Sequence, residues 1–287
     1  MTAITIHVVG ASGRTGAALC RGLHADAVPF VPVVRDAVKW SALGLNRAPV
    51  VADITDGAAL HLALTAATRI VCCAHARHAG AVLAAAPANA RFVFLGSTRK
   101  FTRWPDAHGN GVIAGETAFL ASGRCGVMLH PTMIYGACGE NNVQRLAALL
   151  RWLPLVPLPR RAGMVQPIHQ NDVTRAIRAA LDRRWEAPAA LVIAGPQAVG
   201  YADFVRAVAH AAGSRPPHFV PVPVTLLTVL ARLATATRLP RIHPDEIRRL
   251  CENKAFDITA MRSVLGVEPV SLAEGLARTF GRPHKPG

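Results

Sequence analysis

The chain has 287 residues, of which 51% are hydrophobic, 17% charged and 5% aromatic. Apolar content this high, with no long polar tract, excludes a disordered chain, and the longest charge-free apolar stretch near the C-terminus, residues 219–231, falls short of the ~20 residues a bilayer crossing needs. The net charge of +15, from 32 Lys and Arg against 17 Asp and Glu, favours anionic partners, while the dispersal of the arginines and the lack of any reader motif argue against nucleic acid.

The first half alternates short apolar runs with helical patterns. Residues 4–9 form a β-branched run ending at glycine, and 15–24 have helical spacing with Leu19, Cys20 and Leu23 on one side. Strands follow at 30–34, 50–51, 69–73 and 91–95, with helices at 57–67 and 78–86 between them. This order predicts βαβ units and an α/β fold with a parallel sheet covered on both faces. Further on, 116–122 read as helix, 126–129 as strand, 143–153 as helix, 172–181 as helix and 191–194 as strand. Asp172 is placed to be an N-cap or first-turn acid. From about Val199 the chain reads as mostly helical with proline breaks. The expected layout is one Rossmann-type domain over 1–195, with 136–165 reaching into a smaller lobe formed by 196–287.

The start, MTAITIHVVGASG, lacks the basic residues and cleavage site of a secretory signal. Six cysteines stand at 20, 72, 73, 125, 138 and 251 without a C-x-x-C pair, which reads as buried reduced thiols in a cytoplasmic protein with no metal site.

The sharpest motif is GASGRTG at 10–16, between the first strand and the first helix. Glycines there permit a tight turn, close approach of backbone to a pyrophosphate, and close helix–strand packing. The helix N-terminus adds free N–H groups and the positive end of its dipole. Gly10, Ser12, Gly13, Arg14, Thr15 and Gly16 are therefore the expected cofactor contacts. The second strand ends FVPVVRD, with Arg35 where an NAD-selective protein usually carries an acid. An arginine fork suits a 2′-phosphate, which favours NADP(H) over NAD, with Arg14 in support. The alternative has Arg35 solvated and Asp36 turned inward to the ribose. Asp53, followed by Ile54, is placed for the adenine edge, or else caps the following helix. Ala74 and His75 lie past the fourth strand, where a parallel sheet opens its ligand crevice. His75 there is either an acid/base or a surface or packing residue.

Together the glycine motif, Asp53, the strand end LGST, HPTMIYG and QPIHQNDV resemble the short-chain dehydrogenase/reductase superfamily, most closely its extended and atypical NAD-dependent epimerase/dehydratase branches. KAFDITAMRSVLGVEP is similar to the C-terminal segment of nucleotide-sugar epimerase relatives, so the likeness spans nearly the whole chain. It implies a Rossmann-type doubly wound parallel sheet with a smaller, mostly helical C-terminal lobe. Active relatives carry Tyr-x-x-x-Lys on one helix face. Here neither Tyr135 nor Tyr201 has a lysine four residues on. Aligning Glu116 with the acidic residue that often follows the pair puts His108 in the tyrosine place and Val112 in the lysine place. Ser97 matches the substrate-orienting serine, leaving His75 or His108 to replace the phenol as acid/base. By the same resemblance the backbone of Pro131 and Met133 lines the cofactor, and Tyr135 lies near the nicotinamide. Thr98, Lys100, Asn142 and Arg145 are expected substrate contacts, with Asn142, after Glu140 and Asn141, also a natural N-cap. His169 and Asp172 are structural.

Two apolar stretches carry arginines, LLRWLPLVPLPRR and VPVTLLTVLARLATATRLPRIH. They read as core helices of the small lobe, or as segments lying on a membrane surface. Three functions fit: an NADP(H)-dependent oxidoreductase or epimerase acting on a hydroxylated, carbonyl or nucleotide-sugar-like compound; a catalytically silent dinucleotide-binding regulator or scaffold; and a peripheral membrane protein, compatible with either. A homodimer is possible in each case.

Overall fold

The computed structural model describes residues 5–136, 142–234 and 244–281. Ile4, Cys138, Glu140, Asn141 and the end of the second arginine-bearing apolar stretch lie outside them. The strand-and-helix alternation resolves into β1 (Ile6–Val9), α1 (Arg14–Ala25), β2 (Phe30–Val34), α2 (Ala37–Ser41), β3 (Val50–Val51), α3 (Gly57–Leu64), β4 (Arg69–Cys72), α4 (Ala79–Ala85), β5 (Arg91–Leu95), α5 (Ala107–Ala121) and β6 (Gly126–Pro131). The chain continues through β7 (Ile134–Tyr135), α6 (Asn142–Leu150), β8 (Leu155–Pro159), β9 (Met164–Val165), β10 (Ile168–His169), α7 (Gln170–Asp182), β11 (Pro188–Ile193) and β12 (Val199–Gly200). Then come α8 (Tyr201–Ala211), β13 (His218–Val222), α9 (Val224–Ala234), α10 (Pro244–Arg249), α11 (Thr259–Leu265) and α12 (Leu272–Phe280).

Seven strands form one sheet in the order β11-β6-β5-β4-β1-β2-β3, and every pairing in it is parallel. Because β1 has β4 on one side and β2 on the other, the chain reverses its direction of winding there, and the ends of β1 and β4 open a crevice. One face of the sheet buries Val8, Leu19, Leu23, Phe30 and Val71 with α1 and α7; the other buries Leu60, Leu64, Ile70, Phe92, Phe94 and Phe119 with α3, α4 and α5. A third, smaller core joins Tyr135, Val143, Leu150, Phe204, Val208 and Leu276. Ile258, Met261 and Leu265, late in the chain, return to the core of the large sheet.

Three stretches differ from the sequence expectation. Helix α5 begins at Ala107, nine residues before the expected start at 116, because Gly109, Gly111 and Gly115 dilute the helical signal yet let the helix pack closely. The proline-rich LPLVPLPRR forms β8, which pairs in parallel with β13, itself within a stretch expected to be mostly helical. Proline is tolerated in so small a two-stranded sheet because both strands are edges. No helix among the described residues is long and apolar enough to cross a membrane.

Asp172 sits in the first turn of α7, and the side chain of His169 is the cap instead, accepting the Asn171 N–H at 3.2 Å. The Asp172 carboxylate is fully buried. It accepts the Val270 N–H at 3.0 Å and an Arg175 N–H at 2.5 Å, tying α7 to the segment before α12. Asp172→Ala strands the Val270 N–H, while Arg175 keeps Glu268 O, so chemical denaturation is expected to show a loss of about 1–3 kcal/mol; a loss below ~0.5 kcal/mol would contradict this tie.

Candidate functional site

The glycine turn is built as the motif requires. Gly10 has φ of +76°, and its N–H donates to Val33 O at 3.0 Å, fixing the turn to the end of β2. A Cβ on Gly10 would lie 3.0 Å from the Ala74 nitrogen, so the turn rests directly on the exit of β4. Gly13 is the N-cap of α1 and has no side chain to satisfy the helix start. The first intrahelical bond runs from Ala17 N–H to Gly13 O at 2.7 Å, which leaves the N–H groups of Arg14, Thr15 and Gly16 ahead of it as an anion cradle. A Cβ on Gly16 would fall 2.3 Å from Gly10 O and 2.9 Å from Ala11 Cα, so helix and turn touch through this glycine. Gly16→Ala is expected to lower stability by about 1–3 kcal/mol and dinucleotide affinity by at least about tenfold, one lost interaction's worth. Calorimetric titration of the folded variant checks it, and wild-type affinity would refute it.

At the end of β2, Asp36 caps α2, accepting the Lys39 N–H at 3.0 Å. One of its carboxylate oxygens is thereby engaged by the helix. Arg35 is exposed and forms no ion pair among the described residues. Asp53 closes a turn on Thr55, accepting its N–H at 2.9 Å and its hydroxyl at 2.7 Å, while Asp56 caps α3. Those bonds, with Arg35 nearby, hold the Asp53 carboxyl below the usual carboxylate range. Beside it, Ile54 and His78 border a hollow of about 460 Å³ between α3 and α4.

Past β4 the structure brings the two candidate histidines together. His75 caps the short turn Ala76–His78, its Nδ1 accepting the Arg77 N–H at 3.1 Å. Neutral His75 therefore carries its proton on Nε2, 3.1 Å from His108 Nδ1. His108 in turn keeps its own proton on Nε2. The rings meet edge to face, 4.4 Å apart at 87°. Their approach depends on α5: a Cβ on Gly111 would meet His75 Cε1 at 2.9 Å, and one on Gly115 would meet Ala76 O at 2.0 Å. Burial, with the neighbouring charges of His108 and Arg77, pushes His75 down to about 4; burial and Arg99 lower His108. Val112, in the lysine place, is buried in the core.

At the end of β5, the Ser97 hydroxyl oxygen accepts the Arg99 N–H at 3.1 Å, leaving its own proton to donate. The Ser97 N–H donates to His130 Nδ1 at 3.2 Å, and a Cβ on Gly96 would lie 2.3 Å from that same nitrogen. His130 is 1% exposed, with Glu116 Oε2 at 3.4 Å and Lys100 Nζ at 3.5 Å from its Nε2. Lys100, expected to meet substrate, is instead paired to Glu116 at 2.6 Å and largely buried. Sequence reasoning missed this three-residue cluster, although Glu116 and the HPTMIYG segment were both singled out.

Burial and the Lys100 charge push His130 down to about 4, whereas an unfolded histidine titrates near ~6.5. Between those values the unfolded chain binds more protons, so this contribution is intact above the unfolded value and is lost as pH falls toward the folded one. Urea unfolding of the wild type is expected to lose roughly 1–2 kcal/mol more between pH 7 and pH 5 than His130→Gln does. Equal losses would contradict the assignment.

Ser97, Thr98, Thr132, Met133 and Asn142 line one side of a cavity of about 740 Å³, with Phe256 and its neighbours opposite. Thr98 donates to Pro131 O at 3.3 Å, fastening β5 to β6 at its rim. Neither His75 nor His108 is among the lining residues. Asn142 is the first residue of α6, and Arg145 is exposed one turn on. Tyr135, expected near the nicotinamide, is 1% exposed. Its ring packs edge-on to His169, and its hydroxyl lies where a Cβ on Gly275 would fall, so packing of α12 withdraws it from any ligand.

No protein-family model matches the chain, and no curated protein is similar to it in sequence. Solved structures are similar in fold. An NADPH-dependent quinone oxidoreductase from Escherichia coli, solved with NADPH, has a TM-score of 0.73 at 19% identity, covering 96% of this chain and 99% of its own. A nucleoside-diphosphate-sugar epimerase from Pseudomonas aeruginosa has a TM-score of 0.73 at 18% identity, covering 97% of each chain. A UDP-glucuronic acid 4-epimerase from Bacillus cereus, solved with UDP-glucuronic acid and NAD, has a TM-score of 0.73 at 16% identity, covering 96% of this chain and 98% of its own. At these identities the likeness establishes the Rossmann-type fold that these reductases and epimerases share.

Proposed function

We propose that this chain is an NADP(H)-dependent oxidoreductase of the atypical short-chain type, reducing a carbonyl group on a small molecule. The observation that carries the reading is the cradle at the β1–β4 crevice: a tight glycine turn, open N–H groups at the start of α1, and an Arg35 with no ion pair among the described residues beside an Asp36 that caps α2. A pyrophosphate suits the tight turn that Gly10 and Gly16 allow, facing the open N–H groups at the start of α1, and a 2′-phosphate suits Arg35. The NADPH in the Escherichia coli oxidoreductase supports this choice, whereas the Bacillus cereus epimerase holds NAD. In this reading residues 1–195 bind the dinucleotide, while 196–287, with 136–165, shape the substrate side.

Bound there, the dinucleotide supplies a hydride. The chain's own part is to hold the carbonyl and see its oxygen protonated. Ser97 offers an O–H at the cavity wall. His108, exposed beyond the lining of that cavity and with its tautomer fixed through His75, is the second donor of this reading through its Nε2–H, for a carbonyl held at the cavity's edge. Two neutral donors polarise a carbonyl oxygen without needing a phenol. The residues' part would be to give the carbonyl oxygen its proton, which solvent would replace through the half-exposed histidine pair.

A second reading has a specific observation behind it. Val112 is core and Tyr135 is buried, so the Tyr-Lys machinery of active relatives is absent, as in a silent dinucleotide-binding regulator. A panel of aldehydes, ketones, quinones and UDP-sugars with NADPH separates the two. Consumption of NADPH with at least one carbonyl compound is the expected result. Tight NADPH binding without turnover would establish the second reading, and no binding would overturn both.

A further inference from the structure

The cavity has a second wall that the proposed chemistry does not use. Arg99, Arg103, Arg248, Arg249 and Lys254 line it, with Glu252 as the one lining acid among the described residues. Arg99 and Arg249 share Asp106, with Nε of Arg99 at 2.8 Å and Nη1 of Arg249 at 3.3 Å. Arg248 reaches Asp245 at 3.3 Å. Glu252 is spent on the loop after β5, accepting the Thr102 hydroxyl and the Arg103 N–H, each at 2.7 Å. Its other oxygen is 4.0 Å from Lys254 Nζ, and the Arg103 side chain has no ion pair among the described residues. Among the described residues five cations thus face three carboxylates: the Arg103 side chain has none of them, and Lys254 has only the 4.0 Å approach of Glu252, whose first oxygen is already spent.

The same wall concentrates flat apolar surface. Aromatic residues are 5% of the chain, yet Phe101, Trp104 and Phe256 all line this cavity. Phe101 and Trp104 are 53% and 40% exposed, so neither is there to fill a core. The Phe101 and Phe256 rings lie 5.7 Å apart, and the Arg248 guanidinium covers the Trp104 ring at 4.9 Å. Exposed rings beside unmatched cations, in a concave site of ligand size, are the surface that a planar anion covers.

We infer that the cavity takes a small planar aromatic compound carrying one anionic group, a carboxylate or a phosphate, with Arg103 and Lys254 holding the anion and Phe101, Trp104 and Phe256 holding the ring. The inference rests on the oxidoreductase reading for the statement that this compound is the substrate, the reducible carbonyl then lying toward Ser97. Burial lowers the Lys254 pKa, a cost that a bound anion relieves. An uncharged substrate would leave the positive charges unmatched beside it, and a cationic one would be repelled.

The test is calorimetric titration of the full chain, without dinucleotide, with 1-naphthoate, 1-naphthyl phosphate and uncharged 1-naphthalenemethanol. At least one anion is expected to bind about tenfold or more tightly than the alcohol, one well-made charged contact's worth. Whichever anion gains more names the group. In Arg103→Gln/Lys254→Gln the preference should shrink to within about twofold, while Arg103→Lys retains it, and Trp104→Ala should weaken all three probes alike. Equal binding of acid and alcohol, or a preference unmoved in the folded double variant, would overturn the inference. Because no dinucleotide is present, the result is independent of the cofactor reading. Anion preference in a chain that ignores NADPH keeps the cavity assignment and removes the oxidoreductase. NADPH turnover of neutral carbonyls with no anion preference does the reverse.

Discussion

Arg35→Asp is expected to reverse the dinucleotide preference, moving the NADPH-to-NADH affinity ratio by two to three orders of magnitude. The side chain stands exposed at the end of β2, with no ion pair competing for it among the described residues. A guanidinium–phosphate contact is worth about 1.5–3 kcal/mol, and a carboxylate placed against the same phosphate adds repulsion of about 1–2 kcal/mol at a solvated site. Together these give roughly 3–5 kcal/mol, against about 1.4 kcal/mol per tenfold. NADH has no 2′-phosphate and should be nearly unaffected, or gain from the new acid at its ribose. Titration of both dinucleotides into both proteins reads the ratio directly. An unchanged ratio removes Arg35 from the site and leaves the choice of NADP(H) without support.

The second large effect is expected at the histidine pair. His108→Phe preserves an aromatic ring beside His75 and deletes the Nε2–H donor, and should lower kcat for NADPH-linked carbonyl reduction about 10²–10³-fold, as loss of one preorganised donor does. KM should change little, since the donor acts on the oxygen that gains charge as hydride arrives. His75→Asn should cost less, because it only unfixes the tautomer of His108. A kcat within about twofold of wild type in His108→Phe would take the pair out of the reaction, a result to which the absence of both histidines from the cavity lining gives weight.

What could be read in the chain order, and what could not, follows from the range of the interactions involved. Strands β1 to β6 and the glycine turn are written locally: short apolar runs between helical patterns, and a motif whose residues touch one another across a few positions. Ser97 was legible for the same reason, as a strand end before a turn. The early start of α5 was hidden because the feature that makes it work, close packing through Gly109, Gly111 and Gly115, is the one that weakens a helical pattern. Prolines 157, 159 and 221 hid the β8–β13 pair, since proline argues against a strand unless the strand is known to be an edge. Arg35 against Asp36 is undecidable from spacing, and the structure adds the Lys39 N–H on one Asp36 oxygen, a local cap that spacing alone does not announce.

Tyr135 shows the limit from the other side. Its neighbours in sequence do reach the cavity, but α12, more than a hundred residues on, packs Gly275 against its hydroxyl. Likewise the wall formed by Arg103, Trp104, Lys254 and Phe256 joins segments about 150 residues apart through Glu252, Thr102 and Arg103. Nothing local announces such a contact. The His130–Glu116–Lys100 cluster is of the same kind, drawn from a strand, a helix and a loop.

The central claim is that the crevice between β1 and β4 is an NADP(H) site, and the direct measurement is calorimetric titration of the wild-type chain with NADPH and with NADH. The account predicts one NADPH bound per chain, at least about tenfold more tightly than NADH, the difference one charged contact makes. No binding of NADPH, or NADH bound as tightly as NADPH, would contradict it.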